Sequence, residues 1–555
     1  MPGLKSLSFV FFPKLRFLVL FAQFVYSCGK KQPEEKTMNF PMRLAIGSAC
    51  TLVFIILVGF VGFPKMIKSK VKGMVNLKPG MEIREMFVKV PFPLSFNVYI
   101  FSVLNPAEVQ GGAKPHLKEM GPFCYNEWKT KINVQDNEGD DTMSYDPVDT
   151  FETAKRPKCL SADTLVTIPH PMILGMVNTI LRQKPGALTL ANKAIKSIWS
   201  NPSSLFITIK ARDLLFDGVV IHCGVSDFAG KAICTNLKAE PSLTHLGGDD
   251  LGFSLLGPKN GTAGKRIKAF RGTQDFHKVG RIIEFDGSSK LNVWNDSKCD
   301  AIVGTDGTIF PPMLKKEEGL ASLKYKIMIY FFWYLAPYSS LLFNYIFISL
   351  LGDQSKNPDE KCFCTTPATC LKKGLMDLYK CAKIPLYVSL PHFYDSHETY
   401  LKGVKGLKPD AEKHGIRIMF ELLTGSPLSA RKRLQFNMPL EPNPKVELFH
   451  NFTPTVLPIF WVEEAIDLNN TFTQPLKTMF LSKKLVNVVS YLVLLMSIGA
   501  FCAAGYLYFK SDDSMNVTSV QKVQPDQNGN RNTISTVFNG NHARGRDNEA
   551  YEDKY

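Results

Sequence analysis

The sequence predicts an α+β protein: a large antiparallel β-region with one helical hairpin, held between two helices long enough to cross a bilayer. Three observations predict it. Two uncharged apolar stretches stand near the ends of the chain, Leu44–Phe63 and Leu485–Phe509. Between them, short segments alternate apolar and polar side chains with period two. One interval, Pro171–Trp199, follows the helical period instead. The composition agrees: 555 residues, 45% hydrophobic, 11% aromatic and 21% charged, which excludes a wholly disordered chain. The net charge of +16 is spread without a basic stripe, zinc-finger spacing or helix-turn-helix pattern. Nucleic acid is therefore excluded as an expected partner.

The two apolar stretches set the layout. About 20 apolar helical residues cross a hydrocarbon core of ~30 Å. Leu44–Phe63 lies between Arg43 and Lys65, and Leu485–Phe509 between Lys484 and Lys510. Lysines and arginines balance on the two sides of the first stretch, so charge does not orient it. The region between does. It carries four glycosylation sequons, at Asn260, Asn295, Asn451 and Asn469, and nine of the twelve cysteines. That combination points to an oxidising, extracellular side, with both termini cytoplasmic. The expected segments are 1–43 (cytoplasmic, with 1–37 extraneous), the span 44–63, the ectodomain 64–484, the span 485–509, and a polar, disordered tail 510–555. Tyr325–Leu351 is also apolar enough to read as a third span. Its Phe, Ile, Tyr, Leu, Asn and Lys bias resembles translated AT-rich noncoding sequence, so 320–354 is taken as an anomalous insert.

Within the ectodomain, Leu94–Leu104, Leu205–Ile209, Arg281–Phe285, Leu386–Leu390, Ile416–Leu422 and Leu434–Leu440 read as strands. In the last, Leu434, Phe436, Met438 and Leu440 alternate with Gln435 and Asn437, which predicts one wet face and a barrel or sandwich. In the hairpin, the first helix is apolar almost all round (Met172, Leu174, Met176, Ile180), and Pro185-Gly186 breaks it from a second. Such a hairpin either covers one end of the sheet or meets a lipid-like ligand.

Catalytic patterns are absent. There is no Gly-x-Ser-x-Gly, His-Glu-x-x-His, Walker loop or dinucleotide fingerprint, and no cofactor is expected. His170 reads as structural. The adjacent acids Glu463-Glu464 and Asp140-Asp141 are expected to face solvent. Cys362, Cys364, Cys370 and Cys381 could form a zinc site, but flanking sequons favour disulfides, with Cys362 and Cys364 on one face of a strand. The pairing of Cys124, Cys159, Cys223 and Cys234 stays open.

Several runs together resemble the class B scavenger receptor (fatty-acid translocase) family. They are Pro91–Gly112, Gly121-Pro122-Phe123, Glu284–Gly287, Trp294–Pro312, Asn357–Cys364, Leu390–Tyr394, Thr424–Asn437 and Pro458–Glu464. Within that family the chain is most similar to the insect sensory neuron membrane proteins, and Arg84-Glu85-Met86 followed by Pro91-Phe92-Pro93 to their type 1 branch. The resemblance implies a glycosylated ectodomain built as a distorted antiparallel β-barrel, capped by helices and pierced by a hydrophobic tunnel. It implies disulfides Cys299–Cys362 and Cys364–Cys370. A third should join Cys381 to a cysteine within Leu320–Gln354, which holds none, so Cys381 is left unpaired.

The function implied is non-enzymatic. A membrane receptor would capture fatty-acid-derived odorants, pheromones among them, and pass them through the tunnel to the bilayer or to an odorant receptor channel. An odorant-binding protein would deliver them to the plasma membrane of a sensory dendrite. Each buried CH₂ contributes about 0.8 kcal/mol, which favours a continuous apolar path. Met172, Leu174, Met176 and Ile180 are the expected apolar contacts of the cap, with Lys184, Lys193 and Lys196 attracting a carboxylate or an anionic carrier. Two alternatives stand beside this. A scavenger or adhesion receptor would bind particles at its cap without transport. A lysosomal sorting receptor would need an acidic-dileucine signal, and none follows Lys510.

Overall fold

A computed structural model describes residues 39–240, 242–297, 299–302, 304–313, 327–329, 342–347, 361–364, 370–382, 384–421 and 423–515, with backbone alone at 327–329, 342–347, 381–382 and 511–515. Segment 1–37, the tail from 516 and most of 320–354 lie outside these residues, as does the Cys381 side chain.

Seventeen described strands follow in order: β1 Leu94–Val103, β2 Leu117–Asn137, β3 Thr142–Thr153, β4 Leu165–Pro169, β5 Phe206–Lys210, β6 Val219–Ile221, β7 Leu243–Gly247, β8 Asp250–Phe253, β9 Ile267–Phe270, β10 Ile282–Phe285, β11 Ile327–Ile329, β12 Leu342–Phe347, β13 Met376–Asp377, β14 Tyr387–Ser389, β15 Arg417–Glu421, β16 Pro427–Leu440 and β17 Thr455–Asp467. Twelve form one antiparallel sheet in the order β10-β9-β3-β2-β1-β17-β16-β15-β12-β11, with β14 on β16 and β13 on β14. Among the described residues no pairing joins β10 to β11, so they show a large antiparallel sheet, and its closure into the expected barrel is not shown among them. The first described strand lies beside the last described one: Ser95 faces Ala465 and Asn97 donates to Glu463 Oε1 (3.2 Å).

The apolar interval 325–351 is also not a spanning helix where it is described. β12 pairs with β15 and β11 with β12, so the described parts of this interval extend the sheet. Lys361–Phe363 is a turn of 3₁₀-helix, so Cys362 and Cys364 do not share a strand face as expected.

The helices named here are α1 Phe40–Met74, α2 Pro171–Gln183, α3 Leu188–Ile198, α4 Phe228–Lys238 and α5 Asn470–Met515. In α2, Pro171 sits at the first helical position and His170 Nδ1 accepts from Ile173 N–H (3.4 Å), an N-cap in place of the usual serine. Asp227 caps α4 by accepting from Gly230 N–H (2.8 Å). The hairpin α2–α3 buries Ile173, Leu174, Val177, Ala191 and Ile195 in one core with Phe101, Met438, Leu440 and Leu457 of the sheet. A second core under β3, β9 and β10 gathers Val71, Leu77, Phe87, Met143 and Tyr145.

By length and composition α1 and α5 can cross a membrane. The chain divides into two units, 54–491 and, of the described residues, 39–53 with 492–515. In the first, Gly59 lies against Ser490, and Phe60 meets the Tyr491 ring edge-on at 5.0 Å. In the second, Gly47, Ser48 and Thr51 face Ser497 and Ala500 across a cavity of about 410 Å³. Small residues of this kind let spanning helices approach closely.

Candidate functional site

The central strands β2-β1-β17-β16 build two contrasting faces. Side chains alternate across a strand, so register assigns each to a face. On one face, tiers run from the hairpin toward α5. Phe436, Phe460 and Ile100 form the first, with the two phenylalanine rings stacked at 4.8 Å. Leu434, Val462, Val98 and Phe123 form the second. Phe96 and Tyr125 follow, in contact with Phe151 and Phe216 at 4.9 Å each. Leu434, Phe436, Val462, Phe151 and Phe216 stay half-buried, while Ile100, Val98, Phe123, Phe96, Tyr125 and Phe460 are buried. Asn178 Nδ2 donates to Pro439 O (2.9 Å), which fixes the hairpin over the upper end of β16.

At the lower end the same face turns ionic. Lys432 and Glu464 are register partners, and Lys129 stands opposite Asp149. Lys129 Nζ lies 2.6 Å from Glu127 Oε1, 3.4 Å from Asp149 Oδ1 and 3.7 Å from Glu464 Oε1, while Lys432 Nζ lies 3.7 Å from Glu464 Oε2. Burial first, then the Glu464 charge, pushes the Glu127 carboxyl up to about 7 against the pull of Lys129. Burial acts to lower the Lys129 ammonium, and Glu464, Glu127 and Asp149 outweigh it, so its pKa is raised. The acids Glu463 and Glu464 therefore do not face solvent as expected: they point to opposite faces of β17 and each finds a cation, Glu463 at 2.7 Å from Arg433. Asp141 is likewise buried, accepting from Thr273 N–H (3.2 Å) and Gln274 N–H (2.9 Å), while Asp140 stays exposed.

The opposite face is polar where a wet surface was expected. Gln435 and Asn437 are 0% exposed. Gln435 Nε2 donates to Asn437 Oδ1 (2.7 Å), Asn437 Nδ2 to Ser389 Oγ (3.0 Å), and His392 N–H to Gln435 Oε1 (2.6 Å). Beside them Glu119 Oε2 accepts from Trp461 Nε1–H (2.7 Å) and lies 2.6 Å from His392 Nε2. His392 stacks on His414 at 4.2 Å. Glu119, His392 and His414 have the composition of a metal site, but their protons oppose it. Lys408 N–H donates to His392 Nδ1 (3.0 Å) and Asp410 N–H to His414 Nδ1 (2.9 Å), which leaves each neutral ring protonated at Nε2, the atom a metal would need. The cluster is a hydrogen-bonded strut.

The expected cap residues separate into two groups. Leu174 and Met176 are buried in the core and Ile180 packs against it half-buried, while Met172 packs half-buried against a separate cluster of Ala194, Ile198 and Ile221. Lys184, Lys193 and Lys196 are exposed; Lys196 is tied to Glu447 Oε2 (2.6 Å), and the other two make no ion pair among the described residues. Cys299 is bonded to Cys362, Cys364 to Cys370, Cys124 to Cys159 and Cys223 to Cys234. Asn260, Asn295, Asn451 and Asn469 are all exposed. The tiers of the apolar face were absent from the expected site, although Leu434 and Phe436 carried the signal as one alternating phase of a strand.

Residues 45–508 match the CD36 family. The chain belongs to the CD36 family. Among curated members it is 40% identical to sensory neuron membrane protein 1 of Apis mellifera over 507 residues, covering 90% of this chain and 97% of that protein. It is 38% identical to the protein of the same name in Manduca sexta, covering 89% and 97%, and 37% identical to that of Bombyx mori, covering 88% and 96%. Among the described residues, two candidate spans and four disulfides are consistent with a membrane protein of this family that has an oxidised domain between its anchors.

Proposed function

We propose that this CD36-family protein is a receptor that takes up long-chain hydrophobic ligands, fatty-acid-derived odorants or pheromones, and passes them along the apolar face of β1, β2, β16 and β17 toward the membrane. One observation carries the reading: apolar side chains, Phe436, Leu434 and Val462 among them half-buried, continue in register from beneath the hairpin to the strand that leads into α5. Four residues separate Phe436 from Lys432, about 13 Å at 3.3 Å per residue. A ligand sliding over these tiers exchanges one apolar contact for the next without returning to water, and no covalent step is needed. Lys184 and Lys193 would draw an anionic carrier such as an odorant-binding protein. Both termini would be cytoplasmic in the plasma membrane of a sensory dendrite, beside an odorant receptor channel.

The test is saturable binding of a radiolabelled long-chain alcohol to the full chain in lipid nanodiscs. Leu434→Trp, which fills the second tier, is expected to abolish it; unchanged binding overturns the reading. A second reading, particle or lipoprotein capture at the cap without transport, is favoured by Phe228, 80% exposed at the start of α4. In that case Phe228→Ser with Lys193→Glu loses binding and Leu434→Trp does not.

A further inference from the structure

The geometry points to the foot of the apolar face as a head-group site that accepts uncharged polar heads, such as an alcohol, aldehyde or ester, and turns away anionic ones. Its parts are Glu127, Lys129, Asp149, Lys432 and Glu464. The inference rests on the apolar face being the ligand path.

Three features support it. The first is position: the cluster continues the tiers in register, so a chain lying on Phe436, Leu434 and Val462 presents its end to Lys432 and Glu464. The second is charge. Two lysines meet three carboxylates, and both ammonium groups are already directed at carboxylates. A further anion finds no free cation and three like charges, and repulsion of this kind is strong out of bulk water. The third is an unfilled valence. Glu127 is 3% exposed, its Oε1 is held by Lys129, and its Oε2 has no partner. A buried oxygen of this kind costs about 1–3 kcal/mol unless something pairs with it. A hydroxyl head can donate to it. When Glu127 carries its proton, which its raised pKa allows near neutrality, it can donate to a carbonyl head instead. An anionic head can do neither while Glu127 is ionised.

The groups facing Glu127 are Lys129 on its own strand, Asp149 from β3, Glu464 from β17 and, across Glu464, Lys432 from β16. The experiment uses the full chain in phosphatidylcholine nanodiscs and two probes of equal chain length: hexadecanol, and hexadecanesulfonate, which stays ionised at every pH used. At pH 8 hexadecanol is expected to bind about tenfold more tightly, because ionised Glu127 repels the sulfonate. Glu127→Gln is expected to raise sulfonate affinity about tenfold while changing the alcohol far less. Lys432→Gln, at a half-exposed side chain that tolerates change, is expected to lower sulfonate affinity further. In the wild type sulfonate affinity should rise between pH 8 and 6 as Glu127 protonates, and Glu127→Gln should remove that rise. Equal affinities in the wild type, or a sulfonate affinity indifferent to Glu127→Gln and Lys432→Gln while Leu434→Trp still abolishes binding, overturn the head-group site alone. Saturable binding of neither probe, or binding indifferent to Leu434→Trp, overturns the path and the site together.

Discussion

Lys131 sits in the second core with its ammonium 3.1 Å from Asp306 Oδ2, 2.7 Å from Phe87 O and 3.8 Å above the Phe87 ring. Tyr145 donates to the same carboxylate (2.9 Å). Burial holds the Lys131 pKa below its ordinary value, so the ion pair is what keeps the charge there. Asp306→Ala is expected to cost about 3–5 kcal/mol in a thermal-melt series, because it strands a buried cation. Lys131→Met with Asp306→Leu should recover most of that loss. Two histidines set an acid limit. Burial lowers His170 to about 4, and burial with the His392 charge lowers His414 to about 4, both below the unfolded 6.5. A depressed folded pKa gives stability that is whole above pH 6.5 and is lost as pH falls toward 4, about 3 kcal/mol for His170 at pH 4. Melting temperature should fall over that window, and His170→Asn, which keeps an N-cap acceptor, should flatten the slope.

Elements show what the sequence could and could not reveal. The period in β16 was correct, and so was the break at Pro185 between α2 and α3. The faces of β16 were assigned wrongly. Gln435 and Asn437 looked wet, yet their amides satisfy one another and Ser389, and such pairing between distant segments has no local signature. The strand β2 escaped notice because Glu127, Lys129 and Lys131 interrupt its apolar phase, and their partners lie on β3, on β17 and in the loop holding Asp306. Met172, Leu174, Met176 and Ile180 lie on α2, Lys193 and Lys196 on α3 and Lys184 between them, while the apolar tiers below depend on a register that only the assembled sheet defines. The bond Cys223–Cys234 ties the end of β6 to α4 across 11 residues. Opening it by Cys223→Ser with Cys234→Ser is expected to cost about 3 kcal/mol, mostly as local loosening. Limited proteolysis should then cut within 224–240 well before the sheet is lost.

At the scale of the molecule, the exposed sequons and the two candidate anchors make a joint prediction. In a secretory expression system each of Asn260, Asn295, Asn451 and Asn469 changed to Gln should remove one glycosidase-sensitive step in gel mobility, and a chain lacking all four should show none. Modification at Asn260 but not at Asn451 would place those positions on opposite sides of the membrane and refute the two-span layout. The adjacency of β1 and β17 has a further outcome for biosynthesis. Asn97 meets Glu463 only after 366 further residues have been made. Throughout that time the leading strand has one unsatisfied hydrogen-bonding edge, which in a crowded secretory compartment invites self-association. Assembly of the middle of the sheet must wait for the ribosome to finish almost the whole polypeptide, so a nascent chain truncated before Thr455 should be retained by chaperones instead of exported.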